Sequence, residues 1–479
     1  MKQSKTYWKS SEVQDILAEN LGRLSDSKDF DSRILSIKVS ATGVDPYRWF
    51  AKTSGTDNWG FLWHHPTNHK IIAAHTPLHF LRATGPNRFK EIGEQFKYWQ
   101  QRTISAGLTA EHTAPLFMVG AFSFYDFSNA SPWRDFGAAS WFIPKYQFQQ
   151  NGQETYFIIN VMADAARNPE YIANEITDLI ESWHIYGGKS NPIGEPEKSS
   201  SKNTLLYENG DHGYLKWIRG VEQAKSRIEQ GIFDKIVLAR QQKITFADQV
   251  NPLKTVQQLS SIYPDCSNFL FQNPNDQYFI GSSPEILASF QDGRLQTESL
   301  AGSVKRGQNE KEDAELADNL VVSTKNRSEH NYVVQSICRE LNPLAKSIDC
   351  KQEPKLKKLP NVQHLHTPIE AEMRPGIHPM EVLEHLHPTP AVGGSPKRNI
   401  TGHIQDIENL DRGLYAGPIG WFNSKNEGTL AVAIRSGLLY GQQARLYAGC
   451  GIVKDSDPHG EWEETQLKLR PLLDSLHGS

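Results

Sequence analysis

Two glutamates near the end of the chain have the spacing a divalent cation can use. In Ser456–Asp457–Pro458–His459–Gly460–Glu461–Trp462–Glu463–Glu464–Thr465, Asp457 suits a helix cap and Pro458 a first helical position. Glu461 and Glu464 then share one helix face. Carboxylates at a helix start also suit the positive end of its dipole, so a structural role alone would account for them. A second segment, Ser323–Thr324–Lys325–Asn326–Arg327–Ser328–Glu329–His330, sets Glu329 in the middle of a helical stretch. Two helices that turn carboxylates inward offer the hard oxygens Mg²⁺ prefers, with water or substrate completing its shell. A solvated charged face is the plainer alternative. Lys235 heads the apolar run Lys235–Ala239, where it either snorkels to the surface or sits desolvated and competent as a base. Glu285 closes Gly281–Ser282–Ser283–Pro284–Glu285 beside apolar Ile286 and Leu287. Burial there would favour its neutral form and make it a candidate general acid.

The elements that must position these groups are readable from periodicity. Tyr214–Gln230 predicts an amphipathic helix, followed by a strand at Lys235–Ala239. Phe269–Gln272 and Tyr278–Gly281 read as short strands, and Ile286–Phe290 turns through Asp292–Gly293 into Arg294–Leu300. Glu310–Leu341 reads as one long helix, with later strands at Thr429–Arg435 and Ala444–Gly449. Nearer the N-terminus, Leu35–Val39 and Thr155–Val161 predict strands, and Pro169–Trp183 carries Ile172, Ile176, Leu179 and Ile180 on one helical face. The aromatic-rich stretch Phe117–Lys145 reads as core and wall. Hairpins mixed with long helices, without βαβ alternation, imply an α+β fold with large antiparallel sheets. Residues 187–204 are rich in Gly, Pro, Ser and Lys and predict a linker or surface loop. That loop separates an N-terminal subdomain, 1–190, from a larger unit, 205–479.

Composition narrows the function classes. Hydrophobic residues form 38% and charged residues 22% of the 479, as in a folded globular protein. With 51 basic and 55 acidic residues the net charge is −4, which excludes the basic surface needed for general nucleic-acid binding. Cys266, Cys338, Cys350 and Cys450 are far apart, so neither a disulfide framework nor a structural zinc site is expected. The N-terminal residues lack the apolar stretch of a signal peptide, and no run is long enough for a membrane span. A cytoplasmic location, with no membrane partner, is the expectation.

Taken in order, the segments FDKIVLAR, GSSPE, ESLAGS, STKNRSEHNYVV, LHPTPAVGG, GLYAGPIGW, AVAIRSG and YAGCGIVKDSDPHGEWEETQLKL resemble the chorismate-utilising enzymes. That family comprises the isochorismate, salicylate, anthranilate and aminodeoxychorismate synthases. The match is close from Tyr207 to Leu476 and looser before it, through VGAFSFYDF, Trp133 and FIPKY. The resemblance implies two large, mainly antiparallel sheets packed face to face, with helices outside and one site for chorismate. It implies Lys235 as the base that activates water and Glu285 as the acid that protonates the departing 4-hydroxyl. Glu329 and Glu464 would ligate Mg²⁺, with Glu461 acting through a water. Tyr415 and Arg435 would grip the enolpyruvyl carboxylate, Arg435 with its planar fork. Backbone near Gly302, Ser303 and Gly449 would meet the ring carboxylate, and Lys468 would add positive charge. His364 and His387 fall near the site. Several relatives carry an acid where this chain has Asn326, so Asn326 would reach the metal only through a bound water. Clustered carboxylates repel, so Glu464→Gln is expected to hold or raise thermal stability.

Two positions choose among the family's reactions. Aminodeoxychorismate synthases often carry a nucleophilic lysine where this chain has Ala301. The ammonia-using members generally lack a lysine at the position of Lys235, since no water needs activating. The resemblance therefore implies the water-using branch, with isochorismate as product and no glutaminase subunit. Salicylate formation, by further loss of pyruvate, is the alternative, and a non-catalytic chorismate-binding protein the remote one. Menaquinone and siderophore routes both draw on isochorismate.

Overall fold

The computed structural model of the chain describes residues 33–107, 115–127, 132–162, 174, 176–179, 181–183, 205–208, 212–350, 353–360 and 362–477. The predicted linker at 187–204 lies outside these residues, as do Ile172 and Ile180 of the predicted helix 169–183. Its described part is helical, with Ile176 and Trp183 in a core. No helix among the described residues is long and apolar enough to cross a membrane.

Twenty-one strands among the described residues form one hydrogen-bonded sheet. All pairings are antiparallel except Ile34–Ser40 with Thr103–Gly107. The strand Ala139–Asn151 is the branch point. It pairs along most of its length with Lys70–Ala83, and on its other edge first with Phe117–Phe122 and then with Glu154–Met162. One arm continues from Lys70–Ala83 through Gly60–His65, Ser267–Asn273, Gln277–Ser283, Ser436–Tyr440 and Gln443–Ile452 to Lys235–Phe246. The other runs from Phe117–Phe122 through Pro418–Asn423, Gly428–Val432, Ile286–Gln291 and Arg294–Lys305 to Val362–Met373. The two expected sheets are thus arms of one α+β sheet. Alternation along the first arm divides its side chains between two cores. Phe61, Trp63, Phe269 and Phe271 join a core shared with Leu287, Leu295, Ile369 and Leu430 of the second arm. Leu62, Leu270 and Ile280 face a second core with the helices Pro46–Thr53, Pro252–Ile262 and Pro458–His477.

The arms also exchange chain. Gln277–Ser283 passes to Ile286–Gln291 through Pro284 and Glu285, and Gly428–Val432 passes back to Ser436–Tyr440 through Ala433–Arg435. Pro284 has no N–H for a ladder, which suits it to the step between arms. The crossing is tied by the Ser282 N–H to Arg435 O at 3.2 Å and the Val432 N–H to Glu285 O at 3.1 Å. Arg435 takes a left-handed conformation there, with φ 53°. The expected strand Thr429–Arg435 therefore ends at Val432, before the crossing.

The expected long helix is two helices, Glu310–Val322 and Thr324–Leu341. Ser323 is extended, with φ −61° and ψ 110°, and its hydroxyl accepts the Asn326 N–H at 3.3 Å. A capping serine satisfies a donor that the helix start leaves open, and that competes with continuation. Glu329 consequently stands near the beginning of a helix, not in the middle of one.

A fully buried ion pair joins the helix Ile400–Glu408 to the rim of the first arm. Arg412 is paired with Glu408 and also donates to Val392 O at 2.9 Å and Val237 O at 2.8 Å. Glu408 accepts the Ala239 N–H at 2.6 Å. Each further partner of this pair, two carbonyl acceptors and one N–H donor, is backbone. Arg412→Ala is expected to cost about 3–5 kcal/mol, because Glu408 is left charged and dry. Urea unfolding of the single variant and of Glu408→Gln/Arg412→Ala checks this: the double variant should recover part of the loss.

Candidate active site

The two arms and two helices enclose one cavity. Lys235, Glu285, Gly302, Ser303, Glu329, His364, Tyr415, Arg435, Gly449, Glu464 and Lys468 all line it. Glu461 and His387 do not.

Lys235 stands at the first position of Lys235–Phe246, where Ser395 pairs with it. Its Nζ lies 2.6 Å from Glu329 Oε1. A Cβ at position 451 would sit 2.5 Å from Lys235 Cε, so glycine on the neighbouring strand leaves the passage for this side chain. Glu329 is aimed by its neighbour His330, whose ring nitrogens lie 2.7 Å from Thr367 Oγ1 and 3.2 Å from Ala301 O. The helix Thr324–Leu341 is thereby fixed to the second arm. Gly302 sits at a bulge in Arg294–Lys305 with φ 76°, and a Cβ there would press Asn326 Cβ at 3.3 Å. Left-handed backbone and close helix approach both favour glycine.

On the opposite helix, Asp457 caps Pro458–His477 through the Gly460 N–H at 2.7 Å. Glu464 reaches Lys468 Nζ at 2.6 Å, and Lys468 also donates to Gly449 O at 2.9 Å. Lys468, with help from Arg435 and Lys235, holds the Glu464 carboxyl below the usual carboxylate range despite burial. Glu461 turns away: its Oε1 accepts from Ser456 Oγ at 2.7 Å, and burial pushes its carboxyl up. The Cys450 thiol, in the cavity lining, donates to the backbone Glu461 O at 3.7 Å. The Asn326 amide donates to Ser323 Oγ at 3.0 Å.

Glu329 and Glu464 each give one oxygen to a lysine; their second oxygens have no hydrogen bond among the described residues. No three His, Cys, Asp or Glu side chains among those residues converge. Two carboxylates facing one cavity still fit Mg²⁺, which is commonly held by one or two carboxylates together with substrate oxygens.

Glu285 is buried at the crossing, and burial, reinforced by the Glu298 charge, pushes its carboxyl up to about 8. It is therefore protonated near neutrality, as a general acid must be. His364 bonds Ser303 Oγ through Nδ1 at 2.7 Å. Burial and the cations Arg435, Lys468 and Lys357 hold it down to about 3, so it is neutral. Its buried Nε2 has no partner among the described residues. Arg435 spends a single 3.4 Å hydrogen bond on Lys468 O among those residues, which leaves a guanidinium fork for a carboxylate. Tyr415 stacks on Tyr447 with ring centres 5.4 Å apart. His387 lies outside this set, behind the cavity wall, packed on Phe89 and Phe124 and bonded to Phe124 O at 3.1 Å. Arg412 lines the cavity too and was not foreseen; its four-residue spacing from Glu408 was the available signal.

Lysines interleave these carboxylates, so the stability gain expected of Glu464→Gln reverses: Lys468 and Arg435 lose their counter-charge, and the melting temperature should hold or fall. Glu285 behaves oppositely. Its folded pKa lies above its unfolded value, so the unfolded chain releases that proton first and stability is lost as pH rises from about 4 to 8. Glu285→Gln should match the parent near pH 4 and melt several degrees higher above pH 8, as calorimetry across that range would show.

The family model for chorismate binding enzymes matches residues 19–477. "Isochorismate synthase MenF" of Bacillus subtilis is 30% identical over 474 residues, 96% of this chain and 97% of that protein. "Salicylate biosynthesis isochorismate synthase" of Pseudomonas aeruginosa is 40% identical over 261 residues, 54% of each chain. The solved structure of MenF, the menaquinone-specific isochorismate synthase of Escherichia coli, superposes with a TM-score of 0.75 at 25% identity, covering 96% of this chain and 100% of that one. A family match spanning nearly every residue, on a sheet and cavity of this form, makes the chain a member of the chorismate-binding enzyme family.

Proposed function

We propose that this chain is an isochorismate synthase, adding water at C2 of chorismate as the hydroxyl leaves C4. The observation that carries the proposal is a protonated, buried Glu285 lining the same cavity as Lys235. Glu285 gives its proton to the departing 4-hydroxyl, and Lys235, in its unprotonated amine form, takes one from the attacking water. Because the reaction joins two alcohols, the same pair serves the reverse direction with roles exchanged. Arg435 and Tyr415 hold the enolpyruvyl carboxylate, while Gly302, Ser303, Gly449 and Lys468 surround the ring carboxylate. Neutral His364 offers its unpartnered Nε2 to a substrate oxygen. Mg²⁺ would be held by Glu329 and Glu464 and would supply positive charge for the ring carboxylate. Alanine at 301 puts a methyl group in the wall, with no nucleophile to capture the ring.

Incubation with chorismate and Mg²⁺ near neutral pH should leave a mixture of chorismate and isochorismate without pyruvate release. Isochorismate supplied alone should regenerate chorismate. Stoichiometric pyruvate with fluorescent salicylate would instead make the chain a salicylate synthase. Lys235→Ala should lose product formation yet still bind chorismate by titration calorimetry; lost binding would make Lys235 an anchor.

A further inference from the structure

Behind Glu285, outside the cavity lining, lies a charged cluster that the reaction itself does not use. Lys357, on the strand Lys355–Lys358, donates to Pro284 O at 2.9 Å and to both oxygens of Glu298, at 3.2 and 3.1 Å. Glu298 in turn accepts the Ile286 N–H at 2.9 Å. The backbone is therefore gripped at the residue before Glu285 and at the residue after it, by the two halves of one ion pair. His366 Nε2, 2.8 Å from Glu298 Oε2, holds the pair from the neighbouring strand.

We propose that Glu298 and Lys357 are positioning residues for Glu285: their ion pair clamps the turn that aims its carboxyl and sets two opposite charges behind it. This inference rests on Glu285 acting as the proton donor. The geometry has an electrostatic consequence. Among the described residues, the charges that bear most on the Glu285 carboxyl are Glu298, Lys357, Lys468 of the terminal helix and Lys235 of the first arm; Arg435, Glu329 and Glu464 line the same cavity. Glu298 favours the protonated acid, and the three lysines favour the carboxylate. Burial works to raise Glu298 itself, but His366, Lys357 and the Ile286 N–H outweigh it and keep Glu298 ionised. Glu298 can therefore act as a fixed negative charge throughout the working range.

A proton donor fails as pH rises through its pKa, so Glu285 sets the alkaline limb of kcat/KM. Glu298→Gln, which removes the negative charge, should move that limb toward acid by about one pH unit. Lys357→Met, which removes a positive charge, should move it the other way. Lys357→Arg should keep the parent profile. A brace without electrostatic influence would lower kcat in both charge-removing variants and leave the limb in place; unmoved limbs, or shifts of one sign, would overturn the proposal. If Glu298→Gln does not fold, Lys357→Met against Lys357→Arg decides alone. Glu285→Gln separates the two readings. An inactive Glu285→Gln with unmoved limbs elsewhere removes only the clamp, whereas an active one removes the acid role and the clamp together.

Discussion

The crossing of two chain segments between the arms of the sheet is the constraint on which the site depends. Ordinary strands alternate their side chains between two faces and can present a group only perpendicular to the sheet. At the crossing, Pro284–Glu285 and Ala433–Arg435 leave one ladder and enter another, tied by two backbone hydrogen bonds. An acid and a guanidinium thereby reach the same cavity from adjacent positions in space. The cost is an arginine in left-handed backbone and a carboxyl taken out of water. Both departures from local preference fall where the chemistry is proposed, and the packed strands on either side sustain them.

Charge is distributed around the cavity by partner, and each carboxylate differs accordingly. Glu464 has Lys468 one turn away on its own helix and is held as an anion. Glu329 has Lys235 from the facing strand. Glu285 has burial and a neighbouring negative charge, and keeps its proton. Glu464 and Glu285 are thus assigned different protonation states by position alone, the condition for running acid chemistry and cation binding in one space.

Much of this was legible in the sequence, for reasons that can be named. The Asp457–Pro458 helix opening, the Asp292–Gly293 hairpin and the strand at Lys235 depend on local chemistry, and they appear as expected. The break at Ser323 was missed because the charged periodicity runs straight through it, although Ser323 followed by Asn326 offered a capping signal. Glu461 was expected to act through a water; it lies outside the cavity lining and accepts from Ser456, a partner that helix spacing alone does not reveal. His387 sat in a recognisable segment, yet its side chain turns into the aromatic core. Glu298 and Lys357 could not be read together at all. Their meeting needs Arg294–Lys305 and Lys355–Lys358 to be registered against the same strand, Val362–Met373, which is information carried by pairing and absent from any window of sequence.

The branching strand also has a consequence for synthesis of the protein. Phe117–Phe122, buried at every residue, pairs on one edge with Ala139–Asn151 but on the other with Pro418–Asn423. Gly60–His65 likewise waits for Ser267–Asn273. A ribosome adding ~5–20 residues per second leaves that apolar edge open for roughly 15–60 s before its second neighbour emerges. Unpaired edges of this kind invite intermolecular pairing. The same topology that brings Glu285 and Arg435 together obliges the nascent chain to be shielded until its last strands arrive.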